Sequence, residues 1–163
     1  MDQIISLLDV SPFKWSAILT TILCGTLIGV ERQIRGKPVG IRTSSLITLG
    51  TYLVIAVAGT LSDEQGQLIR LTGQVITGIG FLGAGVMLAK DGAVVGVTSA
   101  ATIWVLAAIG ILIGFNYLSQ AIVLAVLVVV ILYGVDLLED RVVSLTKGVH
   151  RRVKSRINGR KLP

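Results

Sequence analysis

Apolar residues in this chain come in blocks longer than a soluble sheet needs. Residues 15–30, 43–62 and 71–89 carry no Asp, Glu, Lys or Arg, and 92–135 runs for 44 residues without one. At 1.5 Å per residue, about 20 apolar residues cross the hydrocarbon core of a bilayer. The first three blocks each fit one crossing, and the fourth fits two. Its hinge is expected at GFNYLSQ, residues 114–120, where Gly114, Asn116 and two interface-loving aromatics interrupt the aliphatic run. The pattern predicts an all-α integral membrane protein with five transmembrane helices over about 15–31, 43–62, 70–89, 95–113 and 118–138. Residues 1–138 then form a single helical bundle and 139–163 a tail.

Composition agrees: 53% of residues are hydrophobic, the mean hydropathy is +0.84, and 163 residues leave no room for a second folded domain once five spans are counted. The opening MDQIISLLDVSPFK has Asp2 and Asp9 where a secretory signal needs early positive charge, so the first span is expected to direct insertion itself. Lys14 and Trp15 should anchor that span at one interface, with Glu31 and Arg32 near the opposite headgroups. With the amino terminus outside, 13 Lys and Arg fall on inner segments against Lys14 and Arg70 on outer ones, which predicts a cytoplasmic carboxyl end.

The pI of 9.9 belongs to one segment. Residues 141–163 hold eight basic and no acidic side chains, whereas 1–140 hold seven basic and nine acidic. Val142, Leu145, Val149, Val153 and Ile157 recur at helical spacing, predicting a basic amphipathic tail helix on the anionic lipids of the cytoplasmic leaflet, with a partner-docking surface as the alternative. No recognised nucleic-acid module accompanies the charge.

GIGFLG, residues 78–83, spells the dinucleotide-binding G-x-G-x-x-G. That motif works where a strand meets a helix, and here it falls in mid-membrane. The glycines are expected instead to pack helices: Gly73, Gly78, Gly80, Gly83 and Gly85 in the third span, and Gly25 and Gly29, a G-x-x-x-G, in the first. The first-span pair also suggests self-association into a homo-oligomer. A third helix broken between Gly78 and Gly85, exposing carbonyls as transporters do, is the alternative.

Polar positions repeat along helix faces: Arg70, Gln74 and Thr77 or Gly78; Ser44 and Thr48; Thr98 and Thr102. Such residues are costly against lipid, so these faces are expected to point inward and meet, unless the hydroxyls merely bond their own backbone. Arg70 either snorkels to the interface or pairs with Asp63 or Glu64. In ERQIRGKPVGIR, Glu31 beside Arg32, Arg35 and Arg42 predicts a fixed ion-pair network or an acceptor for anionic lipid or nucleotide phosphate, though a positive-inside loop also accounts for the charge. No catalytic constellation, cofactor motif or metal cluster emerges. Cys24 has no spaced partners, and the mid-membrane stretches of the first four spans hold no carboxylates to cage magnesium.

The runs LIGVERQIRGKPVGIRTSSLITLG (27–50), RLTGQVITGIGFLGAGVML (70–88) and GVTSAATIWVLAAIGILIGFNY (96–117), in this order, resemble the MgtC/SapB family of bacterial inner-membrane proteins over roughly 15–135. The matching positions are Glu31, Arg32, Gln33, Arg35, Gly40, Arg42 and Thr43; Arg70, Gln74, Gly78, Gly80, Phe81, Gly83 and Gly85; and Thr98, Ala100, Ala101, Thr102 and Trp104. Gln67 stands where the family has the aspartate of Asp-Pro-x-Arg, and Ser44 replaces a common histidine. The first departure questions any role needing that carboxylate, unless Asp63 or Glu64 substitutes. Longer members carry a cytoplasmic domain after the last span; only the basic tail is expected here.

The resemblance implies a multi-pass inner-membrane protein associated with magnesium limitation and, in pathogens, survival inside macrophages. It also implies, after the family's best-known members, action on other membrane complexes, ATP synthase among them, rather than import of magnesium. Two functional classes therefore stand: a non-enzymatic regulator that works by contact, and a small transporter or channel for an ion or polar solute.

Overall fold

The computed structural model describes residues 9–61, 65–90 and 93–141. Five helices span them: α1 (Trp15–Ile34), α2 (Ile41–Leu61), α3 (Gln65–Val86), α4 (Val97–Gly114) and α5 (Leu118–Arg141). Each contains a stretch long and apolar enough to cross a membrane. The expected tail helix beyond Arg141 lies outside the described residues, as does a pairing of Arg70 with Asp63 or Glu64.

Two helix ends show how sequence stops a transmembrane helix. At the end of α1, Gly36 adopts φ 62°, its N–H donates to the Gln33 carbonyl, and the Lys37 N–H reaches back to Arg32. At the end of α4, Asn116 adopts φ 67°, with Asn116 N–H on Ile113 and Tyr117 N–H on Leu112. Both are Schellman closures, which need a left-handed residue and so favour Gly or Asn there. The second is the hinge that divides the 44-residue apolar run.

Helix α2 is the centre of the bundle, packed between α1 and α4, while α5 lies against α1 and α3 leans mainly on α4. The approach is at backbone contact. A Cβ on Gly25 would sit 2.5 Å from Ser45 Cα, and one on Gly29 2.5 Å from Ile41 Cα. On α4, a Cβ on Gly110 would lie 2.6 Å from the Thr48 carbonyl, and one on Gly114 2.5 Å from Ile55 Cγ2. Ile28, Cys24, Ile55, Leu106, Ile109 and Ile113 are fully buried in the core that results. Gly25 and Gly29 thus serve packing within the chain. Their face is filled by α2, which removes the basis they gave for self-association.

The third span departs from expectation in three ways. Helix α3 is continuous from Gln65 to Val86, so it is not broken at Gly78–Gly85. A β-hairpin follows where helix was expected up to 89: β1 (Leu88–Lys90) pairs antiparallel with β2 (Ala93–Val95), Leu88 opposite Val95. Gly96, at φ 95°, lets the chain turn into α4, because a Cβ there would strike the Val86 carbonyl. Lastly, a Cβ on Gly78, Gly80 or Gly85 would meet nothing within 4 Å among the described residues, and only at Gly83 of the α3 glycines would it meet a neighbour, Ala100. Only 6% of the α3 span is buried, compared with 44% for α1 and α4.

Overfilling a close backbone contact costs about 1–3 kcal/mol, whereas Gly to Ala on an open helix surface gains up to about 1 kcal/mol. Gly25→Ala and Gly110→Ala should therefore lower the unfolding midpoint of purified protein in detergent, followed by circular dichroism. Gly80→Ala should leave it unchanged or raise it.

Candidate functional site

The last turn of α1 gathers three charges. Glu31 and Arg32 are buried, at 8% and 3% exposure, and Arg35 is partly exposed. Arg32 Nη2 donates to Ser99 Oγ at 3.1 Å, and Arg32 Nη1 lies 3.7 Å from Glu31 Oε2. Arg35, one turn on from Glu31, places Nε 2.9 Å from Glu31 Oε1 and its guanidinium 5.0 Å over the Tyr133 ring of α5. A cation on an aromatic face is attractive, the more so when desolvated. The cluster therefore ties α1 to the first turn of α4 and to α5.

Both Glu31 oxygens and Arg32 Nε remain without an aligned hydrogen bond despite these short ion-pair distances. Proximity supplies Coulomb attraction, while the orphaned lone pairs carry a desolvation cost.

The α1–α2 connection is held as tightly. Val39, a β-branched residue, sits at φ 68° and is buried. Such a conformation costs about 1–3 kcal/mol and persists only where the surroundings determine it. Here its carbonyl accepts from Ser44 Oγ at 3.0 Å, the Gly40 carbonyl accepts from Ser44 N–H, and the Ile41 N–H donates to Gln33 Oε1 at 3.3 Å. Ser44, the histidine replacement, is thereby a fully buried brace for the loop.

Beside the cluster a groove of 440 Å³ opens between α1 and α5, lined by Leu23, Leu27, Val30, Ile34 and Val129, with Glu31, Arg35 and Tyr133 among its walls.

The other expected polar faces do not converge here. Arg42 and Thr43 are exposed on the first turn of α2, and Thr98 is exposed on α4. Thr48 and Thr102 are buried, yet their hydroxyls donate to the Ser44 and Thr98 carbonyls of their own helices. Thr20, Thr72 and Thr77 likewise bond the carbonyl four residues back. The hydroxyls thus satisfy themselves locally. Arg70, Gln74, Thr77 and Gly78 form one ridge, but it points away from the bundle: all are exposed, followed by Phe81 at 82%. The inward face of α3 is instead Leu68, Thr72, Val75, Ile79 and Gly83. Packing against the small Ala100 surface, rather than polarity, decides which side turns in.

Sequence reasoning missed Ser99 and Gly110, and read Gly114 as a hinge residue without its packing against Ile55. Ser99 had no signal beyond its place beside Thr98. Gly110 and Gly114, in GILIG, repeat the spacing already noted in GTLIG.

The MgtC family model matches residues 18–141. Among curated relatives, the chain is 43% identical over 122 residues to "Putative magnesium transporter YhiD" of Escherichia coli K12, covering 71% of this chain and 56% of that protein. It is 38% identical over 125 residues to an uncharacterized protein of Haemophilus influenzae, covering 71% and 52%. It is 34% identical over 124 residues to Protein MgtC of Brucella abortus strain 2308, covering 72% and 52%. The chain thus spans about half the length of the curated relatives it matches. No solved structure matches it.

Hydrogen bonds to charged groups contribute about 1.5–3 kcal/mol, and removing one partner of a buried ion pair costs about 3–5 kcal/mol. Arg32→Met should therefore destabilise the purified protein more than Ser99→Ala, and Ser99→Ala more than Arg42→Ala, which should fall within about 0.5 kcal/mol of the parent. Chemical unfolding in detergent gives the order.

Proposed function

The chain belongs to the MgtC family, and on that premise we propose that it is a non-enzymatic inner-membrane protein that regulates another membrane complex by contact, in adaptation to low magnesium. The observation that carries this reading is the outward ridge of α3. Arg70, Gln74 and Thr77 face out of the bundle together with Gly73, Gly78, Gly80 and Gly85, where an added Cβ would meet nothing within 4 Å among the described residues. Polar side chains are costly against lipid, and rows of glycine favour close helix approach. A partner helix laid on this ridge would answer both, taking hydrogen bonds from Arg70 and Gln74 while passing close at the glycines.

Transport is the second reading, favoured by the name of the Escherichia coli relative. On it, the ridge would line half of a pathway completed by another subunit. Within the chain, however, the buried threonines Thr48 and Thr102 donate to their own helices rather than forming a continuous polar track.

Two measurements separate the readings. In membranes of the native host solubilised gently, the protein should migrate as part of a larger assembly, and Gly80→Leu with Gly85→Leu should release it without changing its own unfolding midpoint. In proteoliposomes it should carry no saturable flux of magnesium, potassium, protons or phosphate. Saturable flux that is lost in an Arg70→Ala, Gln74→Ala variant would replace the contact reading with transport.

A further inference from the structure

The hairpin between α3 and α4 is the one strand pair among the described residues, and its make-up suits neither water nor hydrocarbon. An antiparallel pair that meets water normally alternates, apolar on one face and polar on the other. Here Leu88 pairs with Val95 and Ala89 with Val94, so the first pair lies on one face and the second on the other. All four side chains are exposed, Leu88 at 67% and Val94 at 59%. Both faces are therefore open and aliphatic. Neither strand packs broadly against a helix, and a lone two-stranded hairpin is marginal in water. Its outer edges carry backbone N–H and C=O groups that no third described strand takes up, and a hydrocarbon interior does not tolerate such edges.

The hairpin is fixed to the bundle at both ends. Met87 N–H donates to the Ala84 carbonyl, so β1 leaves directly from the last turn of α3. Gly96 brings the start of α4 against the Val86 carbonyl. The flanking Met87 and Val97 are exposed apolar residues where the two transmembrane helices end and begin. The lipid-facing surface of α3 and α4 thus continues onto the strands.

We infer that the hairpin stands in the boundary layer between headgroups and acyl chains, with lipid as its partner on both faces. There the aliphatic side chains reach acyl chains, while water and headgroups serve the open edges; no other layer supplies both. Lys90 and Asp91 bring one charge of each sign, so the attraction is apolar rather than electrostatic. Anchored in this way, the hairpin sets the depth of the first turn of α4, where Ser99 meets Arg32. The surface is separate from the outward ridge of α3 and needs no protein partner.

Spin labels on the full chain in phosphatidylcholine vesicles test the assignment, with accessibility to oxygen and to a water-soluble nickel chelate giving depth. Cys24 is buried at 1% exposure, so the label goes to an introduced thiol, and Leu88→Cys and Val94→Cys each report one face. Both labels are expected at a similar depth, about 5–10 Å below the phosphates. A Val126→Cys label, in the middle of the α5 span, should read far deeper. Replacing part of the phosphatidylcholine by phosphatidylglycerol should move neither hairpin label. A water-like label at either position, or a depth equal to that at Val126, would overturn the proposal. So would exclusion of both relaxing agents, the sign of a covering protein surface such as a second copy, and so would a depth that grows with phosphatidylglycerol. Should either cysteine variant fail to fold, Val95→Cys and Ala89→Cys report the same two faces from the paired strand.

Discussion

Helix α2 passes between two glycine pairs at a distance that leaves no space for a single methyl group. Gly25 and Gly29 bring α1 against its first turns, and Gly110 and Gly114 bring α4 against its middle. Inside a membrane no hydrophobic force gathers helices, because lipid is as apolar as leucine; close packing has to do it. A backbone approach of this kind multiplies weak dispersion contacts and tolerates no sideways shift. The three helices α1, α2 and α4 therefore form one unit, and α5 and α3 are added to its outside.

The charged cluster depends on that unit. Arg32 reaches Ser99 only because α1 and α4 are held at a fixed spacing by the helix between them, and Ser99 is placed by the Gly96 turn that starts α4. The tight connection through Gly36, Val39 and Ser44 sets the angle at which α1 hands over to α2. A buried ion pair adds little net stability by itself, since desolvation consumes most of the Coulomb gain. Its contribution here is register: Glu31, Arg32 and Arg35 fit Ser99 and Tyr133 in one arrangement of three helices.

Much of the architecture was legible because a bilayer imposes length and charge rules on sequence. Uncharged blocks gave five helices, and Gly114 with Asn116 gave the hinge. The hairpin was less visible, although Asp91-Gly92 between apolar residues is a turn signal; the uncharged run to residue 89 carried Leu88 and Ala89 of β1 into the expected third span. Of the expected site, Glu31, Arg32 and Arg35 come together because they are close in sequence on one turn. Arg42, Thr43, Arg70, Gln74 and Thr98 do not join them, since helical periodicity says which residues share a face but not which way the face turns. That rotation is decided by the neighbour. Small surfaces such as Ala100 accept Gly83 and leave Gly78, Gly80 and Gly85 outside.

The outside of α3 is thus what the close-packed core leaves over: a ridge of polar and glycine positions with no occupant among the described residues. Photocrosslinking in living cells, with a benzoylphenylalanine placed one residue at a time from 67 to 86, tests this most directly. The account predicts crosslinks to another protein at a helical period that includes Arg70, Gln74, Thr77 and Phe81, with minima at Leu68, Val75 and Ile79. Uniform yields along the helix, or maxima on the Leu68 and Ile79 face, would contradict it.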